Sequence, residues 1–228
     1  MLMSKILIGL LFSLPLFADL FPATTQSTIS NANNNILQIS PAFPANGMSG
    51  IIIHTYKDGA SAATTAAVQN ENGILTIIDS PLMENGKLPQ IATKAIVGDK
   101  VIGGYLYDNV LLLAPNQNTY NEITSKYKKN WINPDNYASF ISQKRDGVPT
   151  KENLSSFAKS YQVGLIAIVK KDSIVIYDPL SQRIISKEPF ATQAQTQTPF
   201  FSNFEKVRTG WFGSTVDENY YTLMEQIN

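Results

Sequence analysis

The chain has 228 residues, 43% of them hydrophobic, with 18 basic and 18 acidic side chains, one histidine and no cysteine. That apolar mass suffices for one large domain or two small ones. Zero formal charge excludes the basic excess that phosphate-backbone binding requires, and the missing cysteines exclude a disulfide framework, thiol catalysis and a lipid-modified N-terminal cysteine.

Residues 1–18 (MLMSKILIGLLFSLPLFA) have the form of an export signal: Lys5 as the positive n-region, Ile6 to Phe17 as the apolar h-region, and Ala18 as the small residue at the cleavage point. A helix of this length covers about 18 Å, short of the ~30 Å hydrocarbon core, so no stable membrane span is expected after cleavage. Leu16, large at the minus-three position, keeps an uncleaved anchor as the alternative. Removal of Lys5 leaves the mature chain at about minus one. An exported, cysteine-free chain points to a bacterial periplasm.

Residues 19–35 are poor in aliphatics after Phe21 and rich in Thr, Ser and Asn, which predicts a flexible leader. From Ile36 the pattern becomes short apolar runs of strand length: ILQIS at 36–40, GIIIHTY at 50–56, ILTIID at 74–79, KVIGGYLY at 100–107 and VLLLA at 110–114. Turn dipeptides separate them, among them Asn72-Gly73, Asn85-Gly86 and Gly98-Asp99. Asp108-Asn109 reads as a two-residue hairpin turn, since both residues tolerate positive φ. Residues 36–115 are thus expected to form an antiparallel barrel or sandwich.

After Pro115 the period moves towards 3.6. Tyr120, Ile123, Tyr127 and Trp131 share a helical face over about 119–130, with Thr119 and Glu122 as capping box. A second helix starts with Asn133 as N-cap and Pro134 at its first position, turning Tyr137, Phe140 and Ile141 inward. Thr150 caps a third, with Leu154, Phe157, Ala158 and Tyr161 on one face. Strands at 165–169, 173–178 and 183–186 complete a three-strand sheet, so residues 116–190 form an α/β half and the whole chain is α+β. A polar loop at 191–198 precedes seven aromatics: Phe200, Phe201, Phe204, Trp211, Phe212, Tyr220 and Tyr221. The 191–228 segment is expected to fold back onto the core, because large apolar patches rarely stay wet.

Candidate chemistry is sparse. His54 is the sole histidine, so a transition-metal site would need carboxylates alone, and no metal or other cofactor is expected. Alternation on GIIIHTY makes His54 a half-exposed strand residue; an envelope hydrolase built on it would need a pocket lined by a carboxylate and a hydroxyl. Ser156 to Lys159 spells serine-x-x-lysine, yet the roughly fifty residues after it are too few for a penicillin-binding catalytic domain. Asp79, Glu84, Asp99 and Asp108 all fall in turns, which leaves no carboxylate pair. The remaining polar cluster is Lys126, Lys128 and Lys129 beside Trp131, read as a partner-binding patch at an exposed helix end. Cations there also complement the helix dipole, which by itself accounts for three lysines.

The stretches VGDKVIGGYLYDNVLLLAPNQNTYNEI at 97–123, WINPDNYASFI at 131–141 and VPTKENLSSFAKSYQVGLIAIVKK at 148–171 resemble the N-terminal domain of the plasminogen-binding proteins of helical, polar-flagellated bacteria. The likeness runs over about 40–225, including PAFPANGMSGIIIH and the GWF triplet at 210–212. It implies an exported, non-catalytic envelope protein. The family's longer members carry a lysine-rich extension ending in lysine that occupies the lysine sites of plasminogen, whereas this sequence ends Gln226-Ile227-Asn228, so plasminogen binding by that route is expected to be weak. The expectation from sequence is a periplasmic scaffold or adaptor whose partners are other envelope proteins, with the disks of the flagellar motor as one setting. A plasminogen-binding surface protein and the His54 hydrolase are the alternatives.

Overall fold

The computed structural model describes residues 19–78, 93–145, 147–204, 208–209, 214–215 and 218–228. The export signal, Asp79, Glu84, Asn85-Gly86, Trp211 and Phe212 lie outside the described residues.

Six strands close into an antiparallel barrel: β1 (Thr25–Asn33), β2 (Ile36–Ser40), β3 (Ser49–Thr55), β4 (Ser61–Glu71), β5 (Ile74–Ile78) and β6 (Lys100–Gly103), in the order β1-β2-β5-β4-β3-β6. Alternation fills its interior. Leu37 and Ile39 point inward between exposed Ile36, Gln38 and Ser40, and meet Ile29, Ile52, Ala67, Leu75 and Val101. Closure leaves no free edge, which disposes of the aggregation hazard that such runs would otherwise present. Phe43 plugs one end against the paired glycines Gly50 and Gly103; a Cβ on Gly103 would lie 2.5 Å from its ring. Buried Gln69 pins the same connection, accepting from Phe43 N and Gly73 N and donating to Phe43 O and Ala45 O.

Two sequence expectations need correction here. The leader is not flexible: Leu20 and Phe21 are buried, and Thr25–Asn33 pairs with both β2 and β6 to close the barrel. Gln26, Thr28 and Ser30 suit a strand whose outer face is wet, while Ile29 marks the inner face together with buried Ser27, whose hydroxyl donates to Pro41 O at 2.6 Å. Nor is Asp108-Asn109 a hairpin turn. After β6 the chain leaves the barrel through the tight turn Gly104–Asp108, with Leu106 at φ 65, and enters a second sheet. The first half thus spans 25–103 rather than 36–115.

The second sheet has the order β11-β10-β9-β7-β8, made from β7 (Asn109–Leu113), β8 (Asn130–Ile132), β9 (Leu165–Val169), β10 (Ser173–Asp178) and β11 (Arg183–Pro189). The expected trio forms as β9-β10-β11, which is antiparallel, and the sheet has five strands rather than three because β7 joins parallel to β9 and β8 parallel to β7. Period two splits the buried runs between two cores. Val110, Leu112, Leu165, Ala167, Val169, Ile174 and Ile176 face the barrel, while Leu111, Leu113, Ile166, Ile168, Val175 and Tyr177 face the helices. A short ribbon pairs β12 (Arg208–Thr209) with β13 (Ser214–Thr215).

Among the described residues α1 (Gln117–Lys126) turns Ile123 into the barrel-side core, while α2 (Pro134–Lys144), α3 (Lys151–Tyr161) and α4 (Tyr220–Glu225) cover the outer face. The Asn133 and Thr150 caps form as the sequence predicts. α1 is shorter than expected and is capped by Asn116, whose side chain accepts from Thr119 N; Trp131 sits on β8, not on the helix. The aromatic tail completes the core only in part: Phe200 and Tyr220 are buried, Phe201 and Tyr221 are half-buried and Phe204 is exposed, and the Tyr220 hydroxyl lies 2.8 Å from Leu113 O and 2.7 Å from Val169 O. Buried Lys170 donates to Ile227 O at 2.8 Å, holding the segment after α4. Burial lowers the Lys170 pKa, partly offset by Glu225.

In a closed antiparallel barrel the connections alternate between two ends. Residues 41–48, 72–73 and 104–108 gather at the end facing the second sheet, where Gly47 sits against Arg183 and Ile185. Residues 34–35, 56–60 and 93–99 gather at the opposite end.

Candidate partner-binding surface

The lysine cluster is organised by a residue from the supposed leader. Phe21 meets Tyr127 edge-on at 5.1 Å and Trp131 at 6.1 Å between ring centroids. The Trp131 indole N–H donates to Tyr127 O at 3.1 Å, so this aromatic is half-buried and fixed rather than projecting. Lys129 is fixed too. Its Nζ lies 5.2 Å from the Phe21 ring centre and donates to Asp108 Oδ1 at 3.0 Å, an exposed pair of the kind worth about 0–1 kcal/mol.

Lys126 and Lys128 are the exposed members. Lys126 lies 4.8 Å over the Tyr127 ring, and contact with the Tyr127 phenol, with smaller help from Glu188 and Glu122, raises its pKa. The structure thus brings together an aromatic floor of Phe21, Tyr127 and Trp131, two accessible ammonium groups and a third tied down at the rim. Sequence reasoning found the lysines and Trp131 but missed Phe21. The signal was available: a lone Leu20-Phe21 pair ahead of a polar run is an anchor more readily than a linker.

His54 has an acidic partner that the turn reading of Asp99 did not foresee. Its Nδ1 lies 2.8 Å from Asp99 Oδ1, its ring packs edge-on to Tyr56, and Asp99 Oδ2 accepts from Ile96 N. Among the described residues no hydroxyl hydrogen-bonds to His54, so the dyad has no nucleophile there. Ser156 and Lys159 lie on α3, where the Ser156 carbonyl accepts from Ser160 Oγ. An open groove of ≈ 270 Å³ on the barrel wall, lined by Asn31, Asn33, Ile36, Leu37, Gln38 and Ile74, contains no ionisable group. Among the described residues no three His, Asp or Glu side chains gather as metal ligands, and no helix is long and apolar enough to cross a membrane.

One buried polar constellation went unnoticed in the sequence. Asp178, fully buried, accepts from Tyr107 Oη at 2.6 Å, Ser49 N at 2.8 Å, Leu180 N at 2.8 Å and Ser181 N at 3.0 Å. It ties β3 of the barrel to the end of β10, a structural task rather than a catalytic one, since every donor belongs to the fold. Burial, followed by the Asp178 charge, drives the Tyr107 phenol far above its ordinary pKa.

The family model for the plasminogen-binding protein PgbA N-terminal domain matches residues 24–227, from just ahead of β1 to just past α4. Among curated proteins, plasminogen-binding protein PgbA of Helicobacter pylori strain J99 is 28% identical over 166 residues, covering 69% of this chain and 36% of the relative. The PgbA of Helicobacter pylori strain 26695 matches with the same identity and coverage. The matched region thus spans little more than a third of either relative's length. No solved structure matches significantly.

Proposed function

The chain belongs to the plasminogen-binding protein PgbA N-terminal family, and from that premise we propose that it is an exported protein-binding module with plasminogen as its first candidate partner. The observation that carries this reading is the extent of the family match, which takes in the whole of the barrel and the second sheet. The names of the relatives speak for a binding protein rather than an enzyme.

The proposed contact surface is half-buried Tyr127 and Trp131, backed by buried Phe21, with Lys126 over the Tyr127 ring and Lys128 exposed. An aromatic platform supplies contact area at low entropic cost, and flexible cations beside it supply charge recognition. Plasminogen has sites for lysine, and exposed internal lysines offer it a ligand that needs no lysine-rich extension. A scaffold or adaptor role among periplasmic proteins, including those of the flagellar motor, uses the same module with a different partner.

The test is binding of purified plasminogen to the immobilised chain, with and without a lysine analogue. Saturable, analogue-sensitive binding is expected, weakened about tenfold in K126Q/K128Q and unchanged in K144Q/K171Q, which removes two exposed lysines elsewhere. Absence of saturable binding would refute plasminogen as partner and send the search to crosslinked periplasmic complexes.

A further inference from the structure

The barrel end away from the second sheet combines features that neither the core nor the lysine patch uses. Ile96 and Val97, adjacent in the turn before β6, are 50% and 59% exposed. Turn tips ordinarily carry Gly, Asn, Asp or Ser, and a β-branched pair there gives up both turn propensity and burial. Ile36, 57% exposed, opens β2 at the same end.

Three exposed lysines lie on the segments at this end. Lys57 lies in the β3–β4 connection and Lys94 in the segment before the turn; these are tied by the Tyr56 Oη to Thr93 Oγ1 hydrogen bond at 2.8 Å. Lys100 opens β6, pairing across to Thr28 and Ile53. Two acids accompany them among the described residues. Asp58 is exposed and accepts from Ala60 N, whereas Asp99 is buried against His54 and the Ile96 amide. That internal bonding turns the carboxylate inward and holds the turn in shape, with Gly98 N donating to Ile29 O and Ile29 N to Asp99 O.

An exposed apolar tip with lysines on the adjoining segments is complementary to an anionic surface with an apolar interior. We propose that this end of the barrel docks on an anionic lipid surface, Ile96 and Val97 entering the headgroup boundary while Lys57, Lys94 and Lys100 meet lipid phosphates. A neutral partner would gain nothing from the lysines, and a nucleic acid nothing from the aliphatic pair. The docking places the second sheet and the Lys126 patch away from the lipid, since they adjoin the other barrel end.

The absence of cysteine permits a local probe. The V97C chain carries a single polarity-sensitive fluorophore at the tip, and the S160C chain carries the same label on exposed α3 as control. Vesicles of phosphatidylglycerol and phosphatidylcholine are expected to blue-shift the label at 97 and leave the label at 160 unmoved. Pure phosphatidylcholine should shift neither. In the V97C background, K57Q/K94Q/K100Q should lower the apparent vesicle affinity by about a hundredfold, near fivefold per charge removed. No shift at 97 with anionic vesicles, an equal shift with neutral ones, an equal shift at 160, or indifference to the triple substitution would each overturn the proposal. An unchanged melting curve for each labelled chain keeps misfolding out of the comparison.

Discussion

Replacing Asp178 by alanine tests the joint between barrel and sheet. The carboxylate receives four donors: the Tyr107 hydroxyl and the amides of Ser49, Leu180 and Ser181. Ser49 N keeps a second acceptor in Tyr107 Oη at 3.3 Å; leaving a buried donor unpaired costs about 1–3 kcal/mol, so the three remaining dry orphans would cost about 3–9 kcal/mol. Water entering the vacated space and small shifts at the 179–182 turn recover part of this, and the expected loss is about 3–5 kcal/mol. The conservative Asp178→Asn should do better: the amide carbonyl can keep Leu180 and Ser181, its NH₂ can donate to Tyr107 Oη, which still accepts from Ser49 N, and only the phenol proton loses its acceptor, for a loss of about 1–2 kcal/mol. Tyr107→Phe removes one donor and leaves Asp178 with three amides, again about 1–2 kcal/mol. In the double-mutant cycle, D178A/Y107F should cost less than the sum of the singles by at least about 1 kcal/mol, because the Y107F background has no hydroxyl to strand. Urea melts of the four proteins give these values, and far-ultraviolet spectra check that each folds. Strict additivity, or a D178A loss below about 1 kcal/mol, would refute the view that this carboxylate couples the two halves.

Alkaline pH should destabilise the protein through its buried phenols. Burial raises the pKa of Tyr107, Tyr177 and Tyr220, so above about pH 10 the unfolded chain releases protons that the folded one keeps, and stability falls as pH rises by up to about 1.4 kcal/mol per unit for each phenol. Lys170, lowered by burial, works in the opposite sense for at most one proton; the check is stability against pH from about 9 to 11.5, with Y220F flattening the slope and an unchanged slope counting against the assignment. Gly164→Ala should prevent native assembly, because its Cβ would sit 2.0 Å from the Leu106 carbonyl oxygen, a backbone atom inside the turn that carries the chain from barrel to sheet. Expression of G164A as a folded protein within about 2 kcal/mol of the parent would show that this close approach is not required.

The legible parts of the fold were those where local pattern and tertiary demand agree. LIAIV and SIVIYD are buried on both faces and strand-length, so composition alone located β9 and β10. Asn133-Pro134 and Thr150 announced α2 and α3 because capping is local chemistry. What stayed hidden depended on partners distant in the chain. TQSTISNAN carries one inward aliphatic, and SAATTAAVQNE is mostly small residues, so neither β1 nor β4 has a hydrophobic signal of its own. Both become strands because neighbours on each side satisfy their backbone groups, a property of barrel closure rather than of their side chains.

The same distinction separates the two halves of the Lys126 surface. Charge and the tryptophan are visible as letters, but whether an ammonium is free depends on Asp108, and whether the indole projects depends on Phe21, which lies 110 residues earlier in the chain. Three lysines in four residues therefore have three roles: Lys126 above a ring, Lys128 exposed, Lys129 tied to a carboxylate. Asp178 makes the point from the opposite direction. In the sequence it is the Asp of an Asp-Pro turn, and its own turn does use one oxygen for Leu180 and Ser181; the other oxygen is what holds the barrel, through a tyrosine and an amide from β3 that no local pattern connects to it.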